Sequence, residues 1–464
     1  MKPKRAVLSP DDAVRFWRES LGSAAQIALV ANPSYVASSY ELYPLAPANP
    51  GPLAALVGVV KDMDGTTTTT EPLCLHSLEW MVRTITDRMD RRVWAGFDHE
   101  KDHPNIIGNS TTRHVEYLLR TYGGDAKPEA FRRAFVLAVL WTLGRGRDER
   151  RRREVRATAA ALGLAGMLRD DAFIRLVEER VDPFARKQPA VEALATKYAG
   201  AAAIDDFTEQ VRAAVDIYYV RYHTILAALD EGRGDEYAGE LGPDAGPNLV
   251  APMPAVGFFL ALTKGWLGER AGVFHDELAA HLAEKGDERT RVDRAALRAM
   301  GRYFAANPVR IAIVTSSIAY EADIVLAEVF RILREQAAGW PLPQADRDRI
   351  VAGFASHRSF YDAFITASDS SEIRLKPHRD LYSIALHEMG VARDEYDRVV
   401  GFEDSESGVV AIRAAGVGCC VALPFAQSAG HDFDAAVHVL HGQFPEVILR
   451  YQCFLSPEAI QAFA

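Results

Sequence analysis

The sequence predicts an α/β fold: a doubly wound, Rossmann-like parallel sheet carrying a large inserted α-helical domain. Three observations predict it. A short Val/Leu-rich run, Leu53 to Val60, ends in the acidic turn Asp62-Met63-Asp64-Gly65. Strand-like and helix-like patterns alternate from Val309 onward. Between the two lies a long stretch of amphipathic segments rich in Ala, Leu, Arg and Glu. Alternation of buried strands with helices is the signature of a parallel sheet with crossover connections.

Taken in order, Ser9-Pro10-Asp11-Asp12 offers a capping residue, a Pro in the first turn and early acids, so a helix is expected up to about Leu29. The Pro/Ser/Tyr/Ala-rich stretch that follows reads as irregular, and residues 1–52 are expected to form a helical N-terminal extension. Leu53 to Val60 reads as a buried parallel strand delivering Asp62 and Asp64 at its carboxyl end, where open α/β sheets place their ligands. Residues 72–307 read as a helical insertion, with helices expected over Pro128 to Leu143, Asp148 to Leu168 and Ile204 to Leu229. The Arg run within Asp148 to Arg156 reads as a solvated helix face. Strands follow at Val309 to Val314, Ala363 to Thr366, Val399 to Phe402 and Gly418 to Leu423. Helices separate them at Glu321 to Ala338, Arg379 to Met389 and Ser407 to Ala415. The core is therefore expected from 53–71 and 308–464, on both sides of the insertion.

Composition narrows the function classes. With 464 residues, 48% hydrophobic and 25% charged, the chain has ample material for two domains, or one with a large insertion. A formal charge of −10 and the lack of a basic stripe interleaved with aromatics leave no expectation of a nucleic-acid partner. The four scattered cysteines, Cys74, Cys419, Cys420 and Cys453, suggest a reducing, cytoplasmic setting. The first residues lack the apolar core of a signal peptide, and stretches such as Val250 to Thr263 are too short and too interrupted to span a bilayer. No membrane partner is expected, and no oligomeric state is assigned.

Four strand-end clusters carry the chemistry: Asp62-Met63-Asp64-Gly65-Thr66, Thr315-Ser316-Ser317, Lys376-Pro377 and Glu403-Asp404-Ser405. Each alone has a plain structural reading as an Asx-type turn, a helix cap, a solvated charge or an acidic cap. Together, in this order and setting, they supply what phosphoryl transfer needs. Asp62 can attack phosphorus, and Asp64 can protonate the leaving alkoxide and later deprotonate water. Thr315 can hydrogen-bond a phosphoryl oxygen, while Lys376 can neutralise charge there. Asp404, with Glu403, offers hard oxygens to Mg²⁺.

These residues, over about 53–80 and 309–424, resemble the haloacid dehalogenase-like superfamily and, more closely, its beta-phosphoglucomutase-like branch. The flanks Lys376 to Tyr382 and Gly401 to Gly408 are similar to that branch's surroundings, and His76 with Trp80 resembles its hinge and early cap helix. The resemblance implies Asp62 as nucleophile, Asp64 as acid/base, Thr315 and Lys376 as phosphate partners, and Mg²⁺ held by Asp62, Asp64 through its backbone carbonyl, Glu403 and Asp404. It places the insertion as a cap domain. Ser316 and Ser317, together with Gly108, Asn109 and Ser110 in the polar turn where the branch has its specificity loop, are the candidate substrate contacts; helix capping by Ser110 or Thr111 is the plain reading of that turn. His99, His103 and His378 do not form a zinc motif and are assigned no metal.

The implied activity is a Mg²⁺-dependent phosphatase acting on a small phosphorylated metabolite, such as a sugar phosphate, through an aspartyl-phosphate. A carboxylate at Asp64 weighs against the family's dehalogenase and phosphonate-hydrolase chemistries. Ile318 and Ala319, where beta-phosphoglucomutase carries polar residues, weigh against the alternative of a phosphomutase. The filled set of chemical roles weighs against a non-catalytic binding protein.

Overall fold

Six parallel strands make the central sheet, in the order β5-β4-β3-β6-β7-β8. They are β3 Gly58–Asp62, β4 Arg310–Val314, β5 Ala363–Ile365, β6 Val399–Glu403, β7 Cys419–Ala422 and β8 His438–Val439. The computed structural model describes residues 7–21, 26–32, 36–98, 100–107, 110–185, 188–239, 248–286, 290–425 and 430–463. Because β3 lies between β4 and β6, the chain winds outward from it in both directions, and the carboxyl end of β3 is the topological switch point. The sheet is thus doubly wound, as the sequence predicts.

Both faces of these strands are covered, which explains their near-continuous apolar runs. Val60, Ala312 and Val314 pack with helices α10 (Asp380–Glu388) and α11 (Glu406–Ala415) through Leu381, Leu386, Val409 and Ile412. The alternate residues Val59, Ile311, Ile313 and Phe402 face the other layer. That layer contains α7 (Val256–Thr263), α8 (Arg294–Ala306), α9 (Ala319–Ala338) and α12 (Gln443–Leu449). The same alternation sends Lys61, a buried residue, into this second layer, where its ammonium lies 5.0 Å from the centre of the Phe444 ring.

The insertion is helical, but it ends earlier than residue 307. Its principal members are α2 (Glu71–Thr86), α3 (Thr111–Tyr122), α4 (Pro128–Arg145), α5 (Glu149–Ala159) and the long α6 (Phe207–Asp230), with α6 packed on α2, α3, α4 and the core helix α9. The segment from α7 onward returns to the sheet. Phe259 of α7 meets Phe402 of β6 at 5.5 Å and Phe444 at 4.6 Å between ring centres, and the Tyr303 hydroxyl of α8 accepts from the Leu56 amide at 3.4 Å. An eight-residue helix buried at every position, as α7 is, needs neighbours on all sides, and the sheet's second layer provides them.

Where the chain enters and leaves the insertion, its two connections pair with each other. The Thr69 amide donates to the Ala251 carbonyl and the Met253 amide to the Thr67 carbonyl, each at 2.9 Å, with Thr68 bridging Pro252 in antiparallel fashion.

Three further expectations change. The N-terminal region holds one helix, α1 (Pro10–Leu21), and then a hairpin of β1 (Ile27–Ala31) and β2 (Tyr40–Pro44), so it is neither wholly helical nor irregular to Pro52. Alternation explains this: Val30 and Tyr43 turn inward to pack with Ala414, while Leu29 and Leu42 stay exposed. The hairpin also braces the loop carrying Lys376, through Glu41 to Arg374 at 2.8 Å and Tyr43 to His378 Nδ1 at 2.9 Å. The helix expected over Asp148 to Leu168 breaks at Leu162 and Gly163, whose φ of 87° is left-handed. Nor is the Arg run wholly solvated: Arg151 turns inward to pair with buried Asp216 and lies 4.3 Å from the centre of the Tyr219 ring. Among the described residues, no helix is long and apolar enough to cross a membrane.

Candidate active site

The carboxyl ends of β3, β4 and β6 and the loop after β5 bring the four clusters together. Asp62 closes β3, and the threonine-rich loop behind it is fixed by its own hydroxyls. Thr66 donates to Asp404 Oδ1 at 3.2 Å, Thr67 donates to the Asp62 carbonyl, and Thr68 donates to the Met63 carbonyl at 3.3 Å. Gly65 has φ of 76°, and a Cβ there would run into the Asp404 carboxylate and Phe425. The turn therefore requires glycine on both counts.

Asp64 receives three hydroxyls. Thr70 donates to Oδ1, and Thr315 and Ser317 donate to Oδ2 at 2.9 and 3.2 Å. Thr315, expected on a phosphoryl oxygen, is wholly buried and engaged in orienting Asp64; its Oγ1 also accepts from the Ser317 amide at 2.9 Å.

Lys376 forms an ion pair with Asp62 Oδ1 and another with Glu403 Oε1 at 2.8 Å, and donates to the Val314 carbonyl at 3.3 Å. Burial pulls its ammonium down, but the attraction of Asp62 and Glu403 outweighs this and leaves its pKa above the ordinary value. Burial lifts the Asp62 carboxyl well above its usual range; Lys376 opposes the rise, and Glu403, Asp404 and Asp64 add to it.

The carboxylates of Asp62, Glu403 and Asp404 can place one oxygen each within 4.8 Å of one another, a donor set suited to a hard divalent cation. They are not equivalent. Glu403 Oε2 already accepts from the Asp404 and Ser405 amides at 3.0 and 3.1 Å and from the Ser405 hydroxyl at 2.8 Å, and Oε1 accepts from Tyr382 at 3.0 Å as well as from Lys376. Glu403 is thus committed to holding its loop and Lys376. Asp62 and Asp404 are left as the side chains fitted to Mg²⁺. The Asp64 carboxylate points to hydroxyls instead, so its part in a metal site is confined to the backbone carbonyl that the resemblance implies.

Asp62, Asp64, Ser316, Ser317, Lys376 and Asp404 line a cavity of about 90 Å³ whose other walls come from the helical insertion. Ser110 also lines it. Ser110 occupies the N-cap position of α3 without a side-chain capping bond. Gly108 and Asn109 lie outside the described residues, as does His99. His103 and His378 are buried; His378 serves the hairpin contact with Tyr43.

The sequence reading missed Glu71, Cys74, His114, Tyr218, Tyr222 and Glu321, which also form the wall. Tyr218 and Tyr222 were visible as a pair one helical turn apart in α6, a spacing equally expected of plain core packing.

The four clusters stand in order at the strand ends around the switch point, and the helical insertion enters directly behind the first. The fold is a doubly wound, Rossmann-like α/β sheet with a helical insertion. Neither a protein-family model nor a curated protein matches this chain. Among solved structures it is similar to CbbY from Rhodobacter sphaeroides in complex with phosphate, at 13% identity over 84% of this chain and 96% of that one, with a TM-score of 0.35. A HAD family hydrolase from Deinococcus radiodurans R1 with bound phosphate and sodium matches at 14% identity over 87% and 100%, TM-score 0.36. The beta-phosphoglucomutase of Clostridium difficile matches at 10% over 88% and 98%, TM-score 0.34.

Proposed function

We propose that this protein is a Mg²⁺-dependent phosphomonoesterase that hydrolyses a small phosphorylated metabolite through an aspartyl-phosphate on Asp62. The observation that carries the reading is the division of labour between two carboxylates two residues apart. Asp62 is gripped by Lys376 beside Asp404, whereas Asp64 hangs from the hydroxyls of Thr70, Thr315 and Ser317 at the cavity wall. One is held as a nucleophile and the other as a proton carrier.

In the first half-reaction an Asp62 oxygen bonds to phosphorus as the ester P–O bond breaks, and Asp64 gives its proton to the departing alkoxide. In the second, Asp64 takes a proton from a water that attacks the aspartyl-phosphate, the bond to Asp62 breaks, and inorganic phosphate leaves. Lys376 balances charge on the nucleophile and on the phosphoryl oxygens throughout. Mg²⁺, held by Asp62 and Asp404, would offset the negative charge that keeps a carboxylate and a phosphate apart. Ser316 supplies a donor to the phosphoryl group, Ser317 holds Asp64 and Thr315 in place, and Ser110 reaches the leaving group from the cap. The small cavity excludes bulk water from the acyl-phosphate.

Phosphate release from a panel of phosphorylated metabolites, with Mg²⁺ and with chelator, tests this using wild type beside Asp62→Asn. Metal-dependent release that the variant loses is the expected result. Release that Asp62→Asn retains would refute the mechanism.

A further inference from the structure

The wall contributed by α2, α6 and α9 has a charge pattern that the phosphoryl chemistry does not use. Among the described lining residues the only Lys or Arg is Lys376, already paired with Asp62 and Glu403. Five carboxylates line the same cavity: Asp62, Asp64 and Asp404, which serve the reaction, and Glu71 and Glu321, which do not.

Glu321, from α9, accepts from His223 Nε2 of α6 at 2.8 Å. Glu71, at the start of α2, is only 8% exposed and has no hydrogen-bond partner among the described residues. Burial, with the charges of Asp64, Asp62 and Glu403 nearby, pushes its carboxyl up to about 8, and an ammonium beside it would draw it back toward the carboxylate. The Tyr222 hydroxyl, 4% exposed, likewise has no partner among the described residues. Both side chains line the cavity, where a ligand that brings a donor would meet them. A second anionic group on the substrate would meet Glu71 and Glu321 with no arginine or lysine to receive it. An ammonium would meet two carboxylates and the tyrosine ring of an aromatic pair, Tyr218 and Tyr222, stacked at 5.6 Å.

We infer that the alcohol half of the substrate carries a protonated amine, which Glu71 and Glu321 receive, making the substrate an aminoalkyl phosphate rather than a bisphosphate or a phosphorylated acid. The inference rests on the phosphomonoesterase reading of the same site, and the test separates the two.

Three probes of similar size differ mainly in the group they present to that wall: O-phosphoethanolamine, glycerol 1-phosphate and 2-phosphoglycolate, bearing an ammonium, hydroxyls and a carboxylate. Wild type should favour the amine ester in kcat/KM by about 10-fold over the hydroxyl ester and about 100-fold over the acid. Glu71→Gln should remove about 10-fold of the preference for the amine over the hydroxyl ester, with Glu321→Gln acting in the same direction as a second variant. Calorimetric binding of the three probes to Asp62→Asn protein with Mg²⁺ reads the same order without turnover. If no ester is hydrolysed but the amine ester binds best, the phosphatase reading fails and this inference stands. Phosphoglycolate bound or turned over as well as the amine ester, or a preference unmoved by both glutamine variants, would overturn it.

Discussion

Replacing Lys61 with methionine should make the protein more stable. Lys61 is fully buried next to Asp62 in sequence, and its ammonium has no hydrogen-bond partner among the described residues; the Phe444 ring lies 5.0 Å away. Burial lowers its pKa from 10.5 to about 7, against a smaller opposing pull from Asp62. Between those values the unfolded chain holds a proton that the folded chain releases, so the unfolded state binds more protons and stability rises with pH across the window. At about 1.36 kcal/mol per pH unit the handicap at pH 7 is about 4 kcal/mol, of which the attraction to Phe444 returns about 1. Methionine has nearly the same length, fills the same layer and carries no charge. Urea denaturation should therefore show Lys61→Met more stable by about 3 kcal/mol at pH 7 and by about 2 kcal/mol at pH 9, where the folded amine is already neutral. A variant less stable than wild type, or a difference that does not shrink as pH rises, would show that this ammonium is not desolvated as described.

Other expectations concern the site and the cap. Asp64→Asn should lower kcat by about 10²–10⁴-fold, and quenched-flow measurement should find both formation and breakdown of the aspartyl-phosphate slowed; an effect on KM alone would remove Asp64 from proton transfer. Asp404→Asn should chiefly raise the Mg²⁺ concentration needed for half-maximal activity, and an unchanged titration would remove Asp404 from the metal site. Gly65→Ala should cost about 1–3 kcal/mol in thermal or urea denaturation, because it pairs a left-handed backbone with a steric clash against Asp404. Arg151→Met, which strands Asp216 in the cap interior, should cost about 3–5 kcal/mol, and the double variant with Asp216→Leu should recover most of it.

The sheet was legible because its strands are short apolar runs ending in chemistry. Val309 to Val314 and Val399 to Phe402 could be little else once helices separated them. The candidate site was legible for the same reason, since strand ends deliver residues to a known edge of the sheet. What local pattern could not convey was which layer a helix joins. The segment Val256–Thr263 reads as one more helix of the insertion, and only its aromatic contacts with Phe402 and Phe444 reveal that it belongs to the core. Glu71 was hidden differently. A glutamate at the start of a helix is an ordinary complement to the helix dipole, and its meaning depends on Glu321, distant in sequence, sharing its cavity. Arg151 shows the converse: a run of arginines looks uniformly solvated until one of them finds a buried aspartate.

The paired connections at the base of the cap have a mechanical consequence. The strand of that ribbon made by Thr67 to Thr69 is also the loop whose hydroxyls hold the Asp62 carbonyl and, through Thr70, the Asp64 carboxylate. A hinge of two free linkers would let the insertion swing while the Thr67–Thr70 loop stayed still. Here the two share a backbone, so a rotation that lifted α2 and α6 away from the sheet would pull on the Thr70 hydroxyl bonded to Asp64. The position of the insertion and the orientation of that carboxylate are mechanically linked.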